Sequence, residues 1–209
     1  MSRADCRLYL LTPPDIVPAA FAPLLQAALE GGDVACVQLR LAAGADDAAW
    51  REAVRLLRPI AQDREVAFLL DGRPELAKEL GCDGVHVANA KAVRAARKLL
   101  GEDAIVGVTC GDSRHEAMVG GEDGADYVSF GSIFLSQTIP FANTAPLELV
   151  TWWAEMMELP CVAVGGITLD TAAQVADAGA DFLGLCHAVW HHAEGPAAAV
   201  KAFNAALAG

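Results

Sequence analysis

The 209-residue sequence has little positive charge: 15 Lys and Arg stand against 27 Asp and Glu, a formal net charge of −12 with the histidines neutral. Proteins that bind nucleic acids or anionic membranes do so largely through a basic face. The charge balance therefore excludes a general nucleic-acid binder and a binder of anionic membrane surfaces.

Long hydrophobic runs and paired cysteines are missing as well. The first apolar stretch, Leu8–Leu11, is too short for the core of a signal peptide, and no run approaches the length of a membrane span. The six cysteines are scattered without a CxxC pair, which argues against a disulfide framework or a zinc site. We therefore expect a cytoplasmic protein with reduced, mostly buried thiols.

What the sequence does contain is a series of short aliphatic runs separated by segments with helical spacing, such as Trp50, Val54 and Leu57. The runs are continuous rather than alternating, which is typical of parallel strands buried on both faces. Eight strands are predicted: Arg7–Thr12, Val34–Arg40, Val66–Asp71, Gly84–Val87, Ile105–Thr109, Tyr127–Phe130, Cys161–Val164 and Phe182–Leu185.

A glycine followed two residues later by aspartate recurs four times where helices give way to strands. The four copies end in Asp33, Asp83, Asp126 and Asp181. Glycine closes a helix readily in the left-handed conformation, so each copy indicates a helix followed by a strand. The repeated order predicts one α/β domain over residues 1–209, a (β/α)8 TIM barrel with these aspartates on its stabilising face. A doubly wound open sheet is the alternative, but no GxGxxG motif follows the first run.

In such a barrel the functional residues lie where strands end and helices begin. Gln38 and Arg40 are two residues apart at the end of the second strand, so their side chains point the same way. An arginine there is a natural partner for phosphate or carboxylate. Asp71 and Thr109 end the third and fifth strands and belong to the same face.

A phosphate site is predicted after the last two strands. Gly165 and Gly166 allow backbone N–H groups to approach an anion, and a short helix near Ala188 points its positive end at the same place, beside Cys186 and His187. The connection spanning residues 131–146 is long for a compact barrel and is predicted to cover a substrate. Its Ser136 and Thr138 hydroxyls are candidate hydrogen-bond donors, although such residues also cap turns.

The order of motifs along the chain resembles the thiamine-phosphate synthase family, which includes the thiazole tautomerases. The motifs are QLR (Gln38–Arg40), GxDGVHV (Gly81–Val87), GVT (Gly107–Thr109), GADYVSFGSIF (Gly124–Phe134) and AVGGIT (Ala163–Thr168). The resemblance implies a phosphate-binding barrel that joins a pyrimidine diphosphate to a thiazole phosphate and releases diphosphate with Mg²⁺. It implies catalytic roles for Arg40 and Asp71 and substrate or phosphate binding by Gln38, Arg40, Thr109, Ser136, Thr138, Gly165, Gly166, Cys186 and His187.

Several positions of the family pattern are substituted. Ala42 replaces the lysine after QLR, Gly72 replaces a metal-binding aspartate, and Lys91 replaces a second acid. Ile139 replaces the lysine of the TxTK motif, and His187 replaces a serine. With these substitutions, the resemblance implies no ligand for Mg²⁺ other than Asp71.

These substitutions keep other interpretations open. One is a barrel that binds thiazole phosphate or thiamine phosphate in a regulatory role, and another is a different reaction with His86, His187 or Cys110 as acid or base. The tautomerase branch uses a histidine just after the fifth strand, where this chain has Thr109, and His115 lies too far along. The apolar and tryptophan content predicts a homodimer.

Overall fold

The computed structural model describes residues 5–135 and 144–209. Eight parallel strands close into a barrel in sequence order, with the last strand paired to the first. The strands are β1 (Arg7–Leu11), β2 (Cys36–Leu39), β3 (Ala67–Asp71), β4 (Gly84–Val87), β5 (Ile105–Gly111), β6 (Tyr127–Phe130), β7 (Cys161–Val164) and β8 (Phe182–Leu185). The predicted (β/α)8 barrel is confirmed, and the open sheet is excluded by the β1–β8 pairing.

Helices follow the strands around the outside of the barrel. They are α1 (Pro18–Glu30), α2 (Asp47–Gln62), α3 (Pro74–Glu79), a 3₁₀ helix (Ala90–Ala92), α4 (Val93–Leu100), α5 (Arg114–Glu122), α6 (Leu147–Met156), α7 (Leu169–Asp177), α8 (His187–Trp190) and α9 (Pro196–Ala208). The short helix predicted near Ala188 is α8. Within residues 5–135 and 144–209, no helix is long and apolar enough to cross a lipid bilayer.

The strand boundaries differ slightly from the sequence-based ones. β2 ends at Leu39, so Arg40 belongs to the loop at the mouth of the barrel, and β5 continues to Gly111. Thr12 follows β1 but still donates its backbone N–H to Gln38 O at 3.1 Å. The chain thus leaves the regular ladder where it turns toward the functional face.

Two apolar layers result from the alternation of side chains along the strands. Outward-facing residues such as Leu10, Phe68 and Val128 pack against the helices in the larger core. Inward-facing residues form a smaller cluster inside the barrel, made of Tyr9, Leu11, Cys36, Leu69, Tyr127 and Val162. Part of this inner cluster also lines the cavity that holds the candidate functional residues.

The repeated aspartates lie at the amino-terminal face and tie neighbouring strands together. The Asp83, Asp126 and Asp181 carboxylates accept backbone N–H groups of Phe68, Val106 and Cys161, each at 2.7 Å. Asp33 instead accepts from the Arg7 side chain. The glycines that open three of these copies have positive φ values, 66° at Gly81, 97° at Gly124 and 99° at Gly179. The prediction that these motifs are structural is confirmed.

Replacing Asp181 by alanine is expected to lower the free energy of unfolding by about 2 kcal/mol, since hydrogen bonds to charged groups contribute about 1.5–3 kcal/mol. The Cys161 N–H would lose its carboxylate partner at the start of β7. Chemical denaturation of both proteins measures the difference. Asp63→Ala, at an exposed position after α2, is the matched control and should change stability by less than about 0.5 kcal/mol.

Candidate active site

A cavity of about 260 Å³ opens at the carboxyl ends of the strands, where the architecture places functional residues. Its wall combines one guanidinium, one carboxylate, one imidazole, an amide and several hydroxyls with aliphatic groups. The residues that line it are Tyr9, Leu11, Gln38, Arg40, Asp71, His86, Ala88, Thr109, Tyr127, Ser129, Gly131, Val162 and Val164. The structure therefore brings together Gln38, Arg40, Asp71 and Thr109, four of the residues predicted from the sequence.

Arg40 is held in place by Thr12, a fully buried residue at the end of β1. Thr12 Oγ1 accepts the Arg40 backbone N–H at 2.8 Å and donates to Arg40 O at 3.0 Å, while Thr12 O accepts from Arg40 Nε at 3.0 Å. Arg40 Nη2 donates to Cys186 Sγ at 3.3 Å. The guanidinium is thus held by Thr12 and Cys186 in the wall of the cavity.

Asp71 lies next to Gln38 in the wall of the cavity. Gln38 is 3% exposed, and its Nε2 donates to Asp71 Oδ1 at 2.9 Å. Burial raises the pKa of Asp71, and the attraction of Arg40 and the hydrogen bond from Gln38 offset only part of that increase. The cavity therefore contains a half-buried carboxylate under the influence of a nearby guanidinium.

His86 and two tyrosines continue the polar wall from Gln38 to Thr109. Tyr9 OH donates to Gln38 Oε1 at 2.9 Å and lies 2.7 Å from Tyr127 OH. Tyr127 OH lies 2.8 Å from His86 Nδ1, and His86 Nε2 lies 2.8 Å from Thr109 Oγ1. Burial, reinforced by Arg40, lowers the pKa of His86 to about 4, so the imidazole is neutral at pH 7.

A second recess of about 400 Å³ adjoins the cavity and shares Ala88 and Thr109 with it. Lys91, on the 3₁₀ helix, lines this recess, as do Asn89, Cys110, Gly111 and Glu116. Burial raises the pKa of Cys110 to about 12, which keeps its sulfur a thiol and makes it a poor base. Of the three residues considered for acid and base roles, only His86 lines the main cavity.

Gly165 and Gly166 lie beside the cavity and are covered by the start of the β6–α6 connection. Ile133 N donates to Val164 O at 2.9 Å, and Phe134 N donates to Gly165 O at 3.0 Å. A Cβ at Gly165 would overlap Ser132, and one at Gly166 would overlap Phe134 and Leu135. Close packing thus accounts for both glycines, and their binding of phosphate stays a prediction.

The remaining predicted residues fall in three places. Cys186 contacts Arg40 from the end of β8, whereas His187 stacks on His191 with ring centroids 4.3 Å apart and does not line the cavity. His115, the distant substitute for the tautomerase histidine, is exposed on α5. Ser136, Thr138 and Ile139 lie outside the described residues.

Comparison with known proteins gives matches along nearly the whole chain. The family model described as thiamine monophosphate synthase matches residues 8–189. A thiamine-phosphate synthase of Rhodospirillum centenum is 60% identical over 206 residues, which cover 98% of this chain and 99% of the relative. The chain belongs to the thiamine-phosphate synthase family. A family member from Hyphomonas neptunium is 48% identical, with 97% of this chain and 94% of the relative covered.

The solved structures extend the likeness to the backbone. The thiamine phosphate pyrophosphorylase of Pyrococcus furiosus superposes with a TM-score of 0.83 at 26% identity, over 99% of this chain and 97% of that chain. An orotidine 5′-phosphate decarboxylase from Pyrococcus horikoshii, at 14% identity and a TM-score of 0.70, shares the fold alone. The similarity to the synthase family is thus full-length in both sequence and structure.

The sequence motifs of the synthase family did not identify every residue of the site. Tyr9 and Thr12 lie outside the motifs, and Tyr127 and Ser129 lie within GADYVSFGSIF without a predicted role, although all four lie on predicted strands. Their alternation with outward-facing residues was a usable signal, because Tyr9, Tyr127 and Ser129 all occupy inward positions. What the sequence did not reveal was which inward residues of different strands are in contact.

Proposed function

We propose that the protein is a thiamine-phosphate synthase, which joins a pyrimidine diphosphate to a thiazole phosphate and releases diphosphate. The observation that carries this proposal is that Arg40 and Asp71 face one cavity at the strand ends of a barrel 60% identical to a synthase over nearly its whole length. A cytoplasmic location and a homodimer stay predictions.

In this reaction negative charge develops on the departing diphosphate, and a site accelerates the step by presenting fixed positive charge to it. Arg40 is the cation of the cavity, and its contacts with Thr12 hold it in place before the substrate arrives. Lys91 supplies a second cation from the adjoining recess. Asp71 and Gln38 supply polar groups to the organic part of the substrate.

The residues present do not fit the two-carboxylate magnesium site that the family implies. Gly72 and Lys91 occupy the two acidic positions, and among the described residues Asp71 is the one carboxylate that lines the cavity. Within the described ranges, no cluster of three or more His, Cys, Asp or Glu residues could hold a metal ion. Mg²⁺ commonly keeps several waters and binds substrate phosphates. We propose that Mg²⁺, where required, enters with the diphosphate rather than on a protein-bound site.

Diphosphate release tests the proposed reaction. Purified protein is mixed with the pyrimidine diphosphate and the thiazole phosphate, with and without Mg²⁺, and free diphosphate and thiamine phosphate are measured. Stoichiometric formation of both products is expected. If high enzyme concentrations gave no diphosphate above the background without enzyme, the synthase assignment would be wrong.

A phosphate-binding protein without synthase activity is the second candidate, and the substituted positions Ala42, Gly72 and Lys91 favour it. It predicts that thiazole phosphate or thiamine phosphate raises the melting temperature without Mg²⁺, while no diphosphate is released. A thermal shift with both compounds, run beside the release assay, separates the two functions. No shift with either compound would contradict this candidate.

Gly72→Asp is expected to lower the Mg²⁺ concentration for half-maximal activity by about tenfold, because a second carboxylate raises the affinity for a hard cation. An added Cβ at Gly72 meets nothing within 4 Å, and aspartate tolerates its φ of 66° better than most residues do. Titration of activity with Mg²⁺ measures the change. Gly44→Asp, also exposed and uncrowded, is the control and should leave the Mg²⁺ requirement unchanged.

A further inference from the structure

Five consecutive hydrogen bonds cross the barrel interior from Asp71 to Thr109. They link Asp71, Gln38, Tyr9, Tyr127, His86 and Thr109, with lengths of 2.9, 2.9, 2.7, 2.8 and 2.8 Å. The four middle residues are between 3% and 6% exposed. Water therefore has little access to these groups, and each depends on its neighbours for hydrogen bonds.

Counting protons gives this chain of hydrogen bonds one direction. An ionised Asp71 only accepts, so Gln38 turns its Nε2–H toward Asp71 and its Oε1 toward Tyr9. Tyr9 has one hydroxyl proton, which it donates to Gln38, so its oxygen accepts from Tyr127.

The same count of protons applies to Tyr127, His86 and Thr109. Tyr127 has now used its proton, so it accepts from His86, which must carry its proton on Nδ1. The neutral ring then accepts at Nε2 from the Thr109 hydroxyl. Burial raises the pKa of both tyrosines well above the ordinary value, so both keep their protons.

Packing holds the rings in this order. Gly107, opposite both His86 and Tyr127 in the strand register, leaves room for the Tyr127 ring, which a Cβ there would overlap. The rings of His86 and Tyr127 stack with centroids 5.6 Å apart, and those of Tyr9 and Tyr127 lie 5.8 Å apart. The sheet register therefore fixes the positions of the donors and acceptors.

We propose that Tyr9 and Tyr127 are positioning residues. Through their hydroxyl groups, the Asp71 carboxylate determines which atoms of His86 and Thr109 donate and which accept. The two tyrosines fix the Nδ1–H tautomer of His86 and commit the Thr109 proton to His86 Nε2. The Thr109 oxygen then faces the cavity as an acceptor and selects an N–H or O–H donor of the substrate. This last step rests on the proposed function, because it takes the cavity as the substrate site, whereas the tautomer does not.

Nitrogen NMR of the ¹⁵N-histidine-labelled full chain without substrate tests the proposal at pH 7, where His86 is neutral. Two-bond proton–nitrogen correlations distinguish the two tautomers of an imidazole, and loss of signals in His86→Asn assigns the ring. The expected spectrum has a protonated Nδ1 and an unprotonated Nε2. A protonated Nε2 in the wild-type protein would overturn the proposal without any further variant.

Tyr9→Phe tests whether the two tyrosines determine the tautomer of His86. Without the Tyr9 oxygen, Tyr127 has only His86 Nδ1 left as an acceptor in the chain, so the ring is expected to change to the Nε2–H tautomer. Val162→Ala, which disturbs the same inner cluster without touching a hydrogen bond, should keep the wild-type tautomer. An unchanged tautomer in folded Tyr9→Phe would overturn the role of the tyrosines. The spectra need no turnover, so their outcome is independent of the synthase assay.

Discussion

Replacing Arg40 by alanine is expected to lower kcat/KM for diphosphate release by about 10²–10³-fold, the range typical for removing one preorganised group that stabilises developing negative charge. Arg40 is 8% exposed, and the contacts of its Nε and backbone with Thr12 hold it before the substrate binds. The loss is predicted to be severe because Ala42 and Gly72 leave few other groups to share the charge.

Steady-state kinetics with both substrates measure this effect, and two further variants sharpen it. Arg40→Lys keeps the charge but loses the planar guanidinium that donates to Thr12 and Cys186, so an intermediate loss is expected. Arg55→Ala removes an exposed arginine whose described partner is Glu52 on α2, and should leave kcat/KM unchanged. A loss of less than fivefold in Arg40→Ala would contradict the role given to Arg40.

Much of this fold was predictable because local patterns and the global topology agree. Continuous apolar runs such as Cys161–Val164 are typical of parallel strands that are buried on both faces. The glycine and aspartate copies then fix the order of helix and strand, and the structure shows why the aspartates recur: each of the last three ties the start of one strand to the next. Strand ends were less predictable, since Arg40 leaves the ladder under the influence of Thr12, a residue distant in sequence.

The site was predictable only in part, for a physical reason. Gln38, Arg40, Asp71 and Thr109 could be found because they lie at or near the carboxyl ends of predicted strands, and all these strand ends meet at one face. The hydrogen bonds between Tyr9, Tyr127 and His86 depend on sheet register, which no local pattern in β1, β4 or β6 specifies. The glycines at 165 and 166 show a different difficulty, because a motif typical of anion binding is also what close packing against Ser132 and Phe134 requires.

The net charge of −12 is compatible with a phosphorylated substrate because an arginine and a lysine line the candidate site. Asp33, Asp83, Asp126 and Asp181 are all at the amino-terminal face, where they bond to backbone or arginine groups. Arg40 and Lys91 are at the opposite face. These four aspartates therefore stabilise one end of the barrel, while Arg40 and Lys91 lie at the other end.

Acidification is expected to destabilise the protein through His86. Its pKa falls from 6.5 to about 4 on folding, so the unfolded chain takes up the proton first as the pH decreases. Stability from this residue is complete above pH 6.5 and is lost as the pH falls toward 4. One pKa unit corresponds to about 1.4 kcal/mol, which gives about 3 kcal/mol in total and about 2 kcal/mol between pH 7 and pH 5.

Urea denaturation of wild-type protein and His86→Gln across this range isolates the contribution. The variant is less stable at pH 7, because it breaks the bonds to Tyr127 and Thr109, but its stability should decline less steeply with acid. Asp71 acts in the opposite direction, since its raised pKa favours proton uptake by the folded state, and it is present in both proteins. His115→Asn, at an exposed position, should keep the wild-type slope. Equal slopes in wild type and His86→Gln would mean that folding does not lower the pKa of His86, and would contradict the expected loss of stability with acid.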